Sequence, residues 1–152
     1  MLPFETILRT PTRSEEVVPS FRLDWYGDRD VAVYTLVNRP DSPDEIDQFM
    51  ARLHRMVDEW PQDKPLRVII TIYPPAHTPY TRQQLHHAFD VLPAGSAGRV
   101  AFVLPDAPAG QIVRLFARRE QFPALETHTF TRVTQAAAWV ESYDLRSDGG
   151  VA

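Results

Sequence analysis

The chain has 152 residues, no cysteine, 14 prolines and a formal net charge of -4. A chain of this length buries one core, and without thiols it has no disulfide framework, thiolate metal site or cysteine nucleophile. The acidic balance argues against nucleic-acid binding through phosphate neutralisation.

Residues 1–20 hold Pro3, Pro11 and Pro19 with little periodicity and are expected to be an extended N-terminal arm. No apolar run approaches the roughly 20 residues that span a bilayer. Glu5 and the prolines stand where a signal peptide is unbroken and apolar. A cytoplasmic location without integral membrane association is therefore expected.

Phe21, Leu23 and Trp25 alternate with polar residues, Gly27-Asp28 offers a turn, and Val31 to Val37 is apolar, which predicts a β-hairpin. Residues 42–60 predict a helix: Ser42 as N-cap, Pro43 in the first position and Glu45 completing a capping box, with Pro61 as the stop. Ile46, Phe49, Met50, Leu53, Val57 and Trp60 form its apolar stripe. Leu66 to Tyr73 is a β-branched apolar run expected at the sheet centre.

A shorter helix is predicted from Thr81, acting as cap, to Leu92, followed by a strand over Arg99–Leu104. Asp106 is read as the cap of a further helix containing Ile112, Leu115 and Phe116. Arg114, Arg118 and Arg119 stand near its end, where cations suit the dipole. Leu125 to Phe130 alternates as a last strand, Thr131 is read as the cap of a helix through Ala136-Ala-Ala-Trp139-Val140, and 144–152 as a flexible tail. The prediction is a single α/β domain over 21–143. It has a mixed sheet of about five strands, an opening hairpin followed by parallel strands with crossover helices, in the order ββαβαβαβα.

The element order resembles the STAS domain, in particular the sporulation-antagonist-like branch of small stand-alone bacterial proteins. The resemblance spans about residues 21–142. It rests on the hairpin, the capped helix 42–60, the strand 66–73, the strand Arg99-Val-Ala-Phe-Val, and Thr127-His-Thr-Phe130 running into Ala136-Ala-Ala-Trp139-Val140. It implies a non-enzymatic module for protein switching, for sensing nucleotides or small ligands, or in some branches for apolar ligands. Phospho-switching members carry an Asp-Ser-Ser-Gly-type motif after the central strand. Here Tyr73-Pro-Pro-Ala-His-Thr-Pro-Tyr-Thr81 stands in its place, so the serine's role does not pass to Thr81.

Parallel sheets bind ligands beyond the carboxyl ends of their strands. That rule gathers Asn38, Arg39 and Asp41, the loop 74–81, the turn 106–110, and Thr131 with Arg132. The candidate ligand- or partner-binding residues are Arg39, His77, Thr78, Tyr80, Thr81, Asp106 and Gly110. The loop offers an imidazole, hydroxyls and helical amides to a carboxylate, a phosphate or a partner's backbone. The competing reading is a proline-stiffened loop whose hydroxyls close its own turns.

No catalytic residue, cofactor or metal site is assigned. His54 with Asp58 and His86 with Asp90 share a four-residue spacing but lack a third ligand. Asp41, Asp44, Glu45 and Asp47 suit a helix start better than an EF-hand. Ser96 in Ala94-Gly-Ser-Ala-Gly98 precedes a strand, the reverse of a nucleophile elbow.

The expected function is a non-catalytic STAS-like module binding a regulatory protein or small ligand, as a monomer or homodimer. One alternative is a carrier or sensor of an apolar, lipid-like molecule lined by Met50, Met56, Phe89, Phe116 and Phe122. Another is a small hydrolase or isomerase using His77 with Tyr80 or Asp106.

Overall fold

The computed structural model describes residues 13–18, 21–26, 31–37, 43–60, 64–73, 78–88, 97–105 and 125–142. Among them the elements run β1 (Arg13–Val18), β2 (Phe21–Tyr26), β3 (Val31–Leu36), α1 (Pro43–Glu59) and β4 (Leu66–Ile72), then α2 (Pro79–Ala88), β5 (Gly98–Val103), β6 (Leu125–Phe130) and α3 (Val133–Glu141). The six strands lie side by side in chain order in one sheet. β1, β2 and β3 are antiparallel to one another, and β3 to β6 are parallel. The protein is thus α/β with a mixed sheet.

Two apolar layers follow from strand alternation. On one face Phe21, Leu23, Trp25, Tyr34, Ile70 and Phe102 meet the α1 stripe of Ile46, Phe49, Met50, Leu53 and Met56. Phe49 sits edge-to-face with both Phe21 and Tyr34, their ring centroids 5.3 and 5.4 Å away. Full burial of each such side chain contributes roughly 1.5–3 kcal/mol, so this face carries most of the cohesion. On the other face Tyr26, Val31, Val33, Ile69, Ala101 and Val103 pack against Ala136, Ala137 and Val140 of α3. The alanines let α3 lie close to the sheet. Trp25 and Trp60 are core residues with centroids 5.6 Å apart, and Trp139 is partly buried against the α3-side cluster.

The sheet holds six strands where the sequence predicts about five. The additional strand, β1, lies within the segment predicted as an arm. Its sequence, RSEEVV, is polar at the positions where a strand signal would be apolar, and it is joined to its neighbours by polar groups. Ser14 Oγ donates to Asp24 Oδ1 at 2.6 Å, Arg13 stands over the Trp25 ring at 5.4 Å, and Glu15 accepts two hydrogen bonds from Arg52. Charged residues on an edge strand also discourage pairing with another chain.

Two helix starts are corrected. α2 begins at Pro79, not Thr81. The N-cap of α3 is Arg132, not Thr131, and it makes no side-chain cap bond. The helix read from Asp106, with its arginine cluster, lies outside the described residues.

Candidate functional site

Because β3, β4, β5 and β6 run in one direction, the chain leaves all four at the same edge of the sheet. Two backbone bonds extend the ladder onto this rim: the Tyr73 N–H donates to Leu36 O at 3.0 Å, and the Leu104 N–H to Phe130 O at 2.9 Å. The starts of the loops after β4 and β5, and Thr131 with Arg132 after β6, therefore share this edge, as the strand-direction rule requires.

Of the predicted site residues, Thr78, Tyr80 and Thr81 are described, while Arg39, His77, Asp106 and Gly110 lie outside the described residues. Thr78 is the cap of α2: its Oγ1 accepts from the Thr81 N–H at 3.1 Å. This leaves Pro79 in the first helical position, where its missing N–H costs nothing. Thr81 is wholly buried, with its hydroxyl 3.0 Å from that of Thr78. The Tyr80 hydroxyl donates to Asp47 Oδ1 of α1 at 2.6 Å, and this bond raises the pKa of the phenol above its ordinary value. The three hydroxyls thus hold the start of α2 in place. Thr78→Ala removes a cap and is expected to cost about 1 kcal/mol, read as a lower midpoint in urea denaturation with an unchanged slope.

Rim residues that the sequence reading missed stand on the α3 side of the sheet. Val37 and Tyr73 are the exposed large hydrophobic side chains among the described residues, at 45% and 38% exposure. They follow β3 and β4 directly, one step beyond the paired Leu36 and Ile72. They are therefore neighbours. One layer deeper, Thr35 of β3 and Thr71 of β4 are register partners, and Thr71 pairs in turn with Val103, itself level with Phe130. Thr71 is buried, yet its Oγ1 has no hydrogen-bond partner among the described residues.

At the opposite edge Arg67 and Arg99 serve the end of α3. Arg67 Nε donates to Val140 O at 3.2 Å. Arg99 Nη1 donates to Trp139 O and to Ser142 Oγ, each at 2.6 Å, while its Nε pairs with Glu126 at 2.7 Å. Cations at a helix C-terminus complement its dipole, so these arginines have a structural role.

His54 Nε2 is buried without a hydrogen-bond partner among the described residues, where no group of three potential metal-ligating side chains forms. Met50 and Met56, named above as lining for an apolar ligand, are packed in the core, and Met56 Sδ accepts a hydrogen bond from the Tyr34 hydroxyl at 3.2 Å. No helix among the described residues is long and apolar enough to cross a membrane. No family model matches the chain, and comparisons with curated proteins and with solved structures give no match.

Proposed function

We propose that the chain is a non-catalytic, STAS-like binding module that engages a protein partner or a small ligand at the carboxyl edge of its parallel strands. The observation that carries this reading is the exposure of Val37 and Tyr73, each one residue past the paired ends of β3 and β4. Two large apolar side chains are left in water at the edge where α/β sheets bind their ligands. The hydroxyls of the loop support binding less directly, because Thr78, Tyr80 and Thr81 are engaged in holding α2.

A photoreactive phenylalanine analogue placed at position 73 tests the proposal in the native cytosol, with the same group at exposed Glu59 as the control. One adduct of defined mass from position 73 and none from position 59 is expected. The mass then separates a protein partner, a small polar ligand and a lipid-sized molecule. Identical adduct patterns from the two positions remove the rim from consideration. Turnover of an ester or phosphate substrate that is lost in His77→Ala would overturn the non-catalytic reading.

A further inference from the structure

Among the described residues β1 forms one edge of the sheet and pairs with β2 alone. The ladder decides which of its backbone groups that pairing uses, because successive residues of a strand address opposite neighbours. Leu36 O accepts from the Tyr73 N–H directly after β4, so Leu36 addresses β4 and Thr35 addresses β2. Thr35 is level with Arg22, so Arg22 addresses β3 and Leu23 addresses β1. Leu23 is level with Glu15. Glu15 therefore exchanges its N–H and C=O with β2, and the N–H and C=O of Ser14 point away from the sheet. The 2.6 Å bond from Ser14 Oγ to Asp24 Oδ1 agrees, since side chains come closest in pairs that share no backbone bonds.

A second observation is the order of the charges. Arg13 and Glu15 flank Ser14 on one face of the strand, where Arg13 stands over the Trp25 ring and Glu15 reaches Arg52. Arg13 is exposed, and the Glu15 side chain is 34% exposed. Charges on an edge turn away strands that cannot match them. They also select one that can. With Ser14 set antiparallel to Ser14 of a second copy, Arg13 of each copy comes opposite Glu15 of the other. This is the close kind of cross-strand pair, where opposite charges attract. The registers on either side set Arg13 against Arg13 or Glu15 against Glu15, which like charge disfavours.

We propose that β1 pairs antiparallel with β1 of a second copy of this chain, in the register centred on Ser14, and so joins two six-stranded sheets across a two-fold axis. Both backbone groups of each Ser14 are then bonded. The Arg52–Glu15 ion pair stays in place, and Arg13 gains a carboxylate. The same patch serves both copies, so the assembly closes at two. It uses no residue of the rim and is independent of the binding reading.

Sedimentation of the full chain between about 10 µM and about 1 mM reads the association. A dimer is expected to build up with concentration. The Ser14 amide should gain protection from hydrogen exchange along with it, while the Glu15 amide is protected throughout. Ser14→Pro removes the outward N–H, a change that an edge strand tolerates when that side faces water. Ser14→Ala loses the same hydroxyl but keeps the N–H. Ser14→Pro should be a monomer, Ser14→Ala should dimerise like the wild type, and Arg13→Glu should weaken the dimer at least tenfold. A monomer over the whole range, as an edge reserved for another protein's strand would give, overturns the proposal. So does a dimer that persists in Ser14→Pro, which would lie on another surface, or one unaffected by Arg13→Glu. Should Ser14→Pro fail to fold, the wild type decides alone: a dimer in which the Ser14 amide stays unprotected overturns the proposal.

Discussion

Gly98→Ala is expected to be the most damaging single-methyl change among the described residues. Gly98 opens β5 with φ +136, a conformation that L side chains rarely adopt, and pairs with Leu66 of β4. A Cβ built there would run into the Leu66 backbone, lying 2.8 Å from its carbonyl carbon and nearer still to its oxygen and nitrogen. The obstacle is main chain in the middle of the sheet, so no side chain can swing aside. Either β5 turns out of its backbone conformation or the β4–β5 ladder parts at its first pair. That ladder begins where the Leu66 N–H donates to Ala97 O at 2.8 Å.

Strain at a positive φ costs on the order of 1–3 kcal/mol, and a broken central pairing adds to it, so a loss of at least about 3 kcal/mol is expected. For a chain of this size that is roughly 10 °C in Tm. Thermal unfolding followed by circular dichroism reads it directly. A Tm within about 2 °C of the wild type would show that the close approach of β5 to Leu66 is relaxed in solution.

The parts legible in the sequence were those whose local chemistry and tertiary surroundings agree. α1 has its apolar stripe and a proline at each boundary, and β4 is an unbroken apolar run, so both come out within a residue or so of their observed limits. β1 was not legible because what fixes it is remote: Asp24, Trp25 and Arg52 hold a strand whose own sequence shows no alternation. The start of α2 was misread because Thr78 and Thr81 are spaced so that either can act as a cap. Pro79 decides for Thr78, since it fits the first helical position.

At the candidate site, strand direction brings the carboxyl ends of β3 to β6 to one edge, while residue type draws attention to the hydroxyl-rich loop. By composition alone Val37 and Tyr73 read as the last residues of apolar strands. The available signal was their position, one step past the end of neighbouring parallel strands. Thr71 carried a signal too, as a hydroxyl within an apolar run.

The second large effect is expected from Arg52→Ala. Arg52 is buried on α1 at 7% side-chain exposure and holds Glu15 of β1 through Nε at 2.9 Å and Nη2 at 3.0 Å, while Glu15 remains a third exposed. Breaking a buried ion pair from one side costs about 3–5 kcal/mol. Water can reach Glu15 in part, which brings this case down to or below the lower end of that range, about 2–3 kcal/mol. Arg52→Met with Glu15→Gln should recover most of the loss, because an apolar replacement of a buried pair is often near neutral.

The same pair sets an acid limit. The hydrogen bonds from Arg52, opposed by partial burial and aided by the charges of Arg52, Arg55 and Arg13, hold the Glu15 carboxyl below its usual 4.5. A depressed carboxylate pKa stabilises the fold above the unfolded value, and that stabilisation is lost as pH falls through the folded value. β1 should therefore loosen only below about pH 4.5, and Arg52→Ala should remove this part of the acid dependence. Hydrogen exchange of the Glu15 and Glu16 amides, compared between pH 4 and pH 7, measures it. Equal β1 protection in the wild type and in Arg52→Ala would mean that backbone pairing with β2 holds the strand and that the ion pair only decorates it.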